Sequence, residues 1–224
     1  MSLQWDVIGS EGFKFMGKMN ASISHEIKNV LAIINENAGL LEDFALMAEK
    51  GMAIDPGRLK TLAGKIQSQI RRADKIVKNM NTFAHSVDET TGRLELGELL
   101  SFMAALSERP AAMKGLTISV EPPSNPITIT TNPFFLENMI WLCLDFAMET
   151  TGPEGKRLHL TADAEDQWAQ VRISGLEGPQ DALSQAVFPG KQENALIQAL
   201  GGRAVLNQTG GELVLSLPLE PGGQ

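Results

Sequence analysis

Of the groups with which this chain could do chemistry, three histidines and one cysteine among 224 residues, His25 has the most suggestive setting. The segment Ser22-Ile23-Ser24-His25-Glu26-Ile27-Lys28-Asn29-Val30 reads as helix. At about 100° per residue, His25 points almost opposite the apolar seam of Ile23, Ile27 and Val30. Asn29, one turn on, shares its face, and Glu26 lies at the flank between that face and the core. Ala21 and Ala32 border the histidine and leave a shallow surface that another protein can approach. A neutral imidazole is a competent nucleophile near neutral pH if its second nitrogen is held in one tautomer. Glu26 could accept that N–H or take up the proton, as carboxylates do for other histidines. Phosphoryl transfer needs mainly positioning and charge stabilisation, so little further machinery is required. Lys28 could steady phosphoryl charge, although a solvated helix lysine is the commoner case. By itself an exposed helical histidine is an ordinary surface residue, and the surrounding elements have to carry the argument.

Those elements begin with a predicted helix from Phe13 to about Lys50. Its apolar residues from Ile23 to Leu41 follow heptad spacing, with Asn37 filling one seam position. A polar residue there either fixes register between helices or is tolerated where a bundle widens. The stretch Gly51 to Gly57 breaks the pattern, and Asp55-Pro56 is a helix start, with Asp as N-cap and Pro at the first position. A second seam is predicted at Leu59, Ala63, Ile66, Ile70, Ala73, Val77, Met80 and Val87, with Phe83 beside it. Two such helices form an antiparallel hairpin, and a homodimeric four-helix bundle completes its core.

Beyond Asp88 the pattern changes to α+β. Helices are expected at 96–113, from Asn132-Pro133 through 134–148, and at 194–200. Strands are expected at 117–120, 127–130, 158–161, 169–174, 204–206 and 213–217. The expected division is 1–88 for the helical hairpin and 89–224 for an α/β sandwich.

Bulk properties narrow the function classes. A formal charge of −8 disfavours nucleic acid and anionic membrane surfaces as partners. Cys143 lies in an apolar run, which excludes a disulfide framework and fits a reducing cytoplasmic setting. No apolar run reaches the length of a membrane span, and the polar, acidic start has no signal-peptide pattern. His85, among polar residues at the end of the second helix, and His159, in an alternating strand, have bland settings. The three histidines and Cys143 lack metal-ligand spacing, which argues against zinc.

Ser24-His25-Glu26-Ile27-Lys28-Asn29, together with Phe15-Met16, resembles the H-box of sensor histidine kinases. Arg71 to Phe83 resembles that family's second bundle helix. Val30 stands where the family usually has proline, which makes a kink less expected. The resemblance implies that His25 is the phosphorylation site, that Glu26 assists transfer, and that Asn29 orients water to remove phosphate from a partner response regulator. It also implies a homodimer whose partners are receiver domains.

Residues 94 to 219 resemble, more weakly, the histidine kinase ATPase domain, through Leu96-Gly97-Glu98-Leu99-Leu100, Asn132-Pro133, Leu136 to Ile140, Leu200-Gly201-Gly202 and Leu215 to Pro218. The specific residues differ. Leu142 stands at the magnesium-holding asparagine, and Ser174-Gly175-Leu176-Glu177-Gly178 lacks the adenine-reading aspartate. Gly190-Lys191-Gln192-Glu193-Asn194 replaces a glycine-rich phosphate loop, and the chain from Gly178 to Ala195 is short for a nucleotide lid. Phosphates need cradling amides and Mg²⁺ needs oxygen ligands. ATP is therefore not expected to bind. The resemblance then points to the dimeric histidine phosphotransferases, in which Mg²⁺ belongs to the receiver and the second domain is structural and docks receivers. The alternatives are an ATP-dependent sensor kinase fragment with a diverged site, and a non-catalytic scaffold binding a receiver or kinase. Trp141 and Trp168 are expected in cores rather than at contacts.

Overall fold

The computed structural model describes residues 2–151, 157–176 and 187–220. By compactness the chain divides into two units, one of Met1–Met19 with His85–Gln224 and one of Asn20–Ala84. This division differs from the functional boundary expected at residue 88.

In the Asn20–Ala84 unit lie the greater part of helix α1 (Ser2–Glu49) and nearly all of α2 (Pro56–His85). Asp55 caps α2 as anticipated: its Oδ1 accepts from the Gly57 amide at 2.9 Å. The hairpin is antiparallel, since Glu26 meets Arg72 while Leu40 and Phe44 share a small cavity with Asp55, Arg58 and Leu62. Ile23 and Val30 of α1 and Leu62 and Ile76 of α2 are buried. The seam expected on α2 is only partly covered within one chain. Ala63, Ile70, Val77 and Val87 are exposed, and the inward row runs Leu59, Leu62, Ile66, Gln69, Ala73, Ile76 and Met80. Helix α2 carries two apolar rows less than a quarter-turn apart that share Leu59, Ile66, Ala73 and Met80, and a single neighbouring helix covers only one. Asn37 is buried, but its amide donates to the Ile33 carbonyl of its own helix at 2.7 Å, so within this chain it satisfies itself.

The other unit is an α/β sandwich. Strand β1 (Gly92–Glu95), not anticipated from the sequence, pairs antiparallel with β3 (Thr128–Thr131). A five-stranded sheet has the order β2-β4-β5-β7-β6, formed by β2 (Thr117–Val120), β4 (Arg157–Glu165), β5 (Trp168–Ser174), β6 (Arg203–Asn207) and β7 (Glu212–Pro218). Among the described residues β2 and β4 pair parallel and the other neighbours in this sheet antiparallel. Leu158, Leu160, Val171, Ile173, Leu213 and Leu215 alternate inward. Against that face lie α3 (Leu96–Met113), α4 (Pro133–Thr150) and α5 (Lys191–Ala199). Burying one face of an antiparallel sheet under helices leaves the other polar, where Arg172 lies between Asp163 and Glu212.

The first nineteen residues belong to this unit because their helix packs on α4. Phe15 is 2% exposed, with its ring 5.7 Å from Phe134 and 6.4 Å from Trp141. Three glycines between Gly9 and Gly17 argue against helix by propensity. Gly12 allows a close approach nonetheless, because a Cβ there would lie 3.1 Å from the Phe134 ring, which would have to shift. The helix therefore starts at Ser2 rather than near Phe13.

Candidate functional site

Heptad burial fixes the direction in which α1 presents its chemistry. With Ile23 and Val30 buried, His25, Lys28 and Asn29 are exposed, and Glu26 is half-buried at the flank. The inward row on α1 lies about 120° from His25 on one side, and the exposed apolar row of Leu31 and Ala38 about 130° away on the other. His25 thus projects clear of both apolar rows, as the sequence implied.

Glu26 is the best-held member of this group. Its side chain is 14% exposed, and its Oε2 lies 4.0 Å from Nη2 of Arg72 on α2. Sequence reading placed Arg72 in a family-like stretch but gave it no partner. Symmetry about a turn at residues 50–55 would set position 79 opposite 26, so the spacing carried no signal for Arg72, which lies two helical turns nearer the break.

The remaining titratable candidates fall outside this group. His85 Nδ1 lies 2.7 Å from Asp88 Oδ2, and His159 Nδ1 lies 2.9 Å from the Ser119 hydroxyl on the polar sheet face. Cys143 is fully buried, and burial pushes its thiol far above the ordinary range, which leaves it inert as a nucleophile. Trp141 is buried as expected, and Trp168 is half-buried with the Arg203 guanidinium 4.9 Å above its ring. Among the described residues no three His, Cys, Asp or Glu side chains converge as a metal-ligand set. No helix among them is long and apolar enough to cross a membrane.

In the α/β unit the expected nucleotide positions can be located. Leu142 lies on α4 and lines a cavity of about 270 Å³ with Asn138, Asp145, Glu149 and Glu193. The same cavity is lined from α1 by Glu11, Lys14 and Lys18. Lys14 pairs with Glu11 at 2.7 Å and Lys18 with Asp145 at 3.0 Å. Gly175, at φ +91°, passes so close to the Arg157 carbonyl that any Cβ would collide with it. Glu193 accepts from the Gly190 amide at 2.9 Å at the start of α5. Glu177, Gly178 and the first half of the segment read as too short for a lid lie outside the described residues.

Residues 15–88 match the family model of the His Kinase A (phospho-acceptor) domain. The matched interval holds His25, Glu26, Asn29 and Arg72, and it makes the hairpin segment histidine kinase-like. No curated protein sequence matches the chain. Similar solved structures include the Acinetobacter baumannii histidine kinase AdeS, at 15% identity and TM-score 0.49, covering 87% of this chain and 98% of that one. The catalytic domain of histidine kinase ThkA matches at 15% identity and TM-score 0.47, over 59% of this chain and 99% of that one. The ATP binding domain of PrrB from Mycobacterium tuberculosis matches at 21% identity and TM-score 0.44, over 58% of this chain and 98% of that one.

Proposed function

We propose that this chain is a two-component signalling protein that carries a phosphoryl group on His25. The observation that carries the proposal is an exposed histidine, flanked by Glu26 and Asn29, inside the segment matching the phospho-acceptor family. In the proposed step a ring nitrogen of His25 attacks the phosphorus of a receiver's aspartyl phosphate. The P–O bond breaks, the receiver carboxylate leaves, and the proton on the other ring nitrogen passes to Glu26 or water. Mg²⁺ in this scheme is held by the receiver. Asn29 is proposed to orient water when phosphate is removed from the receiver.

The source of the phosphoryl group separates two readings. A receiver as donor is supported by the net negative lining of the cavity in the α/β unit, which would repel the phosphates of a nucleotide. Four carboxylates face two lysines that are already ion-paired. Leu142 offers no oxygen, and Glu193 takes an amide at the entrance of α5. ATP as donor is the reading favoured by the family match, which supports a kinase at least as well. One assay pair distinguishes them. The protein is incubated with receiver domains charged by acetyl [³²P]phosphate, and separately with [γ-³²P]ATP and Mg²⁺. Acid-labile label from the receivers alone is the expected result. Label from ATP alone would replace the phosphotransfer reading by the kinase one, and label from neither would leave a receiver- or kinase-binding scaffold.

The proposed active form is a homodimer in which a second copy covers the outer apolar rows. Ile70 is 47% exposed and Val77 41%, one heptad apart on α2, and Leu31 is 56% exposed on α1. Ile70→Glu places a charge in that row twice per dimer by symmetry. Burying unpaired charges costs several kcal/mol, so association should weaken by a factor of roughly a thousand or more. Sedimentation at micromolar concentration should then find monomer for I70E and dimer for M113E, whose exposed site lies in the other unit. Dimeric I70E would rule out this row as the interface.

A further inference from the structure

We infer that Arg72 is a positioning residue for phosphoryl transfer, acting through Glu26; the inference rests on the phosphoryl-carrier reading of His25. Glu26 adjoins the histidine in sequence but projects about 100° away from it around the helix. A carboxylate in that position serves the histidine only if something holds it at the flank. The half-exposed Arg72 guanidinium, 4.0 Å from Glu26 Oε2, supplies that hold from the opposite helix of the hairpin.

The physical argument has two parts. The Glu26 side chain is 14% exposed, so few orientations are open to it, and a guanidinium beside its carboxylate restricts them further. Ionised Glu26 is the form that can accept the ring N–H of His25 and take its proton after attack. In the step itself the new N–P bond leaves a phosphoimidazolium, and loss of the proton from the other nitrogen neutralises the ring. The receiver's acyl phosphate provides the phosphoryl group, and its carboxylate departs with the electron pair of the broken P–O bond. Arg72 touches neither reacting atom in this scheme. Its planar guanidinium limits the rotamers open to Glu26, which a flexible ammonium does less well. The arrangement also ties the chemistry to the hairpin's register: a slip of α2 by one turn would carry Arg72 about 5 Å along the helix and out of reach.

The test is a double-mutant cycle on the full chain with Arg72→Gln and Glu26→Gln, using whichever charged receiver labels the wild type. Arg72→Gln should slow labelling of His25 at least about tenfold, a modest part of a typical proton-transfer contribution. In the Glu26→Gln background it should change the rate less than about twofold, because its route of action is already gone. Arg72→Lys should recover part of the rate. Equal losses in both backgrounds, or no loss in either, would overturn the proposal. A second readout needs no phosphoryl donor: the NMR resonance of the Glu26 carboxyl carbon at fixed pH should move in R72Q and stay in place in R71Q. An unmoved resonance in R72Q refutes the pairing even if no receiver labels the protein. Failure to label wild type while the resonance does move is instead a failure of the phosphoryl-carrier reading.

Discussion

Replacing His25 by glutamine is expected to abolish acid-labile phosphoryl labelling, a loss of at least about a thousandfold, while the protein keeps its fold. The size follows from the chemistry. A P–N bond cannot form without the imidazole, and neither Glu26 nor Asn29 yields a product with the same acid lability. The fold should survive because His25 is exposed and points away from both apolar rows of α1. Glutamine is also a good helix former, so the stability change should stay within about 0.5 kcal/mol. Phosphoprotein gels before and after acid treatment, with circular dichroism on the same samples, make the measurement. Acid-labile label persisting in H25Q would move the site elsewhere. His85, already held by Asp88, would be the next histidine to replace.

Glu137→Gln is expected to stabilise the α/β unit at pH 8 and to leave it nearly unchanged near pH 5. Glu137 lies in α4, 3% exposed, and its Oε2 has no hydrogen-bond partner among the described residues. Burial pushes its carboxyl up to about 7, against a smaller opposing effect of the hydrogen bond to Ser86. The folded protein therefore holds this proton to higher pH than the unfolded chain, whose carboxyl titrates near 4.5. A group of this kind contributes most below its unfolded value, and the contribution is lost as pH rises through the folded value. Wild-type stability should fall between roughly pH 4.5 and 7 by an amount on the order of 3 kcal/mol, then level off. Glutamine cannot ionise, keeps the length of the side chain and can still meet Ser86, so that slope should vanish in E137Q. Urea unfolding of both proteins at pH 5, 6, 7 and 8 would test it. Parallel pH dependences would mean that Glu137 is ionised in the folded protein, with its burial compensated.

Much of the helical unit was legible because its signals are local. Asp55-Pro56 marked the start of α2 through one cap and one fixed dihedral. The ranges expected for α3 and β2 coincide with those observed, because each is bounded by residues that end regular structure. Which row of α2 turns toward α1 was not legible, for a reason that also lies in periodicity. Ile70 and Val77 satisfy a heptad as well as Leu62 and Ile76 do, and periodicity alone does not say which row meets the partner helix and which remains for a second copy. Strand β1 was missed since Gly92-Arg93-Leu94-Glu95 has too few apolar residues to alternate. It exists because β3 offers it a ladder.

The sequence by itself determined where His25 points, since a seam of Ile23, Ile27 and Val30 on a regular helix leaves the histidine only the opposite face. It also placed Glu26 and Asn29 beside it, because neighbours within one turn are set by helix geometry alone. Tertiary structure decided the rest. It put Arg72 against Glu26, some forty-six positions away in the chain, and packed Gly12 and Phe15 onto α4. It also buried Glu137 deeply enough to shift its proton. Each depends on register and distance between separate elements, and these are fixed by how whole faces pack rather than by the order of residues within one of them.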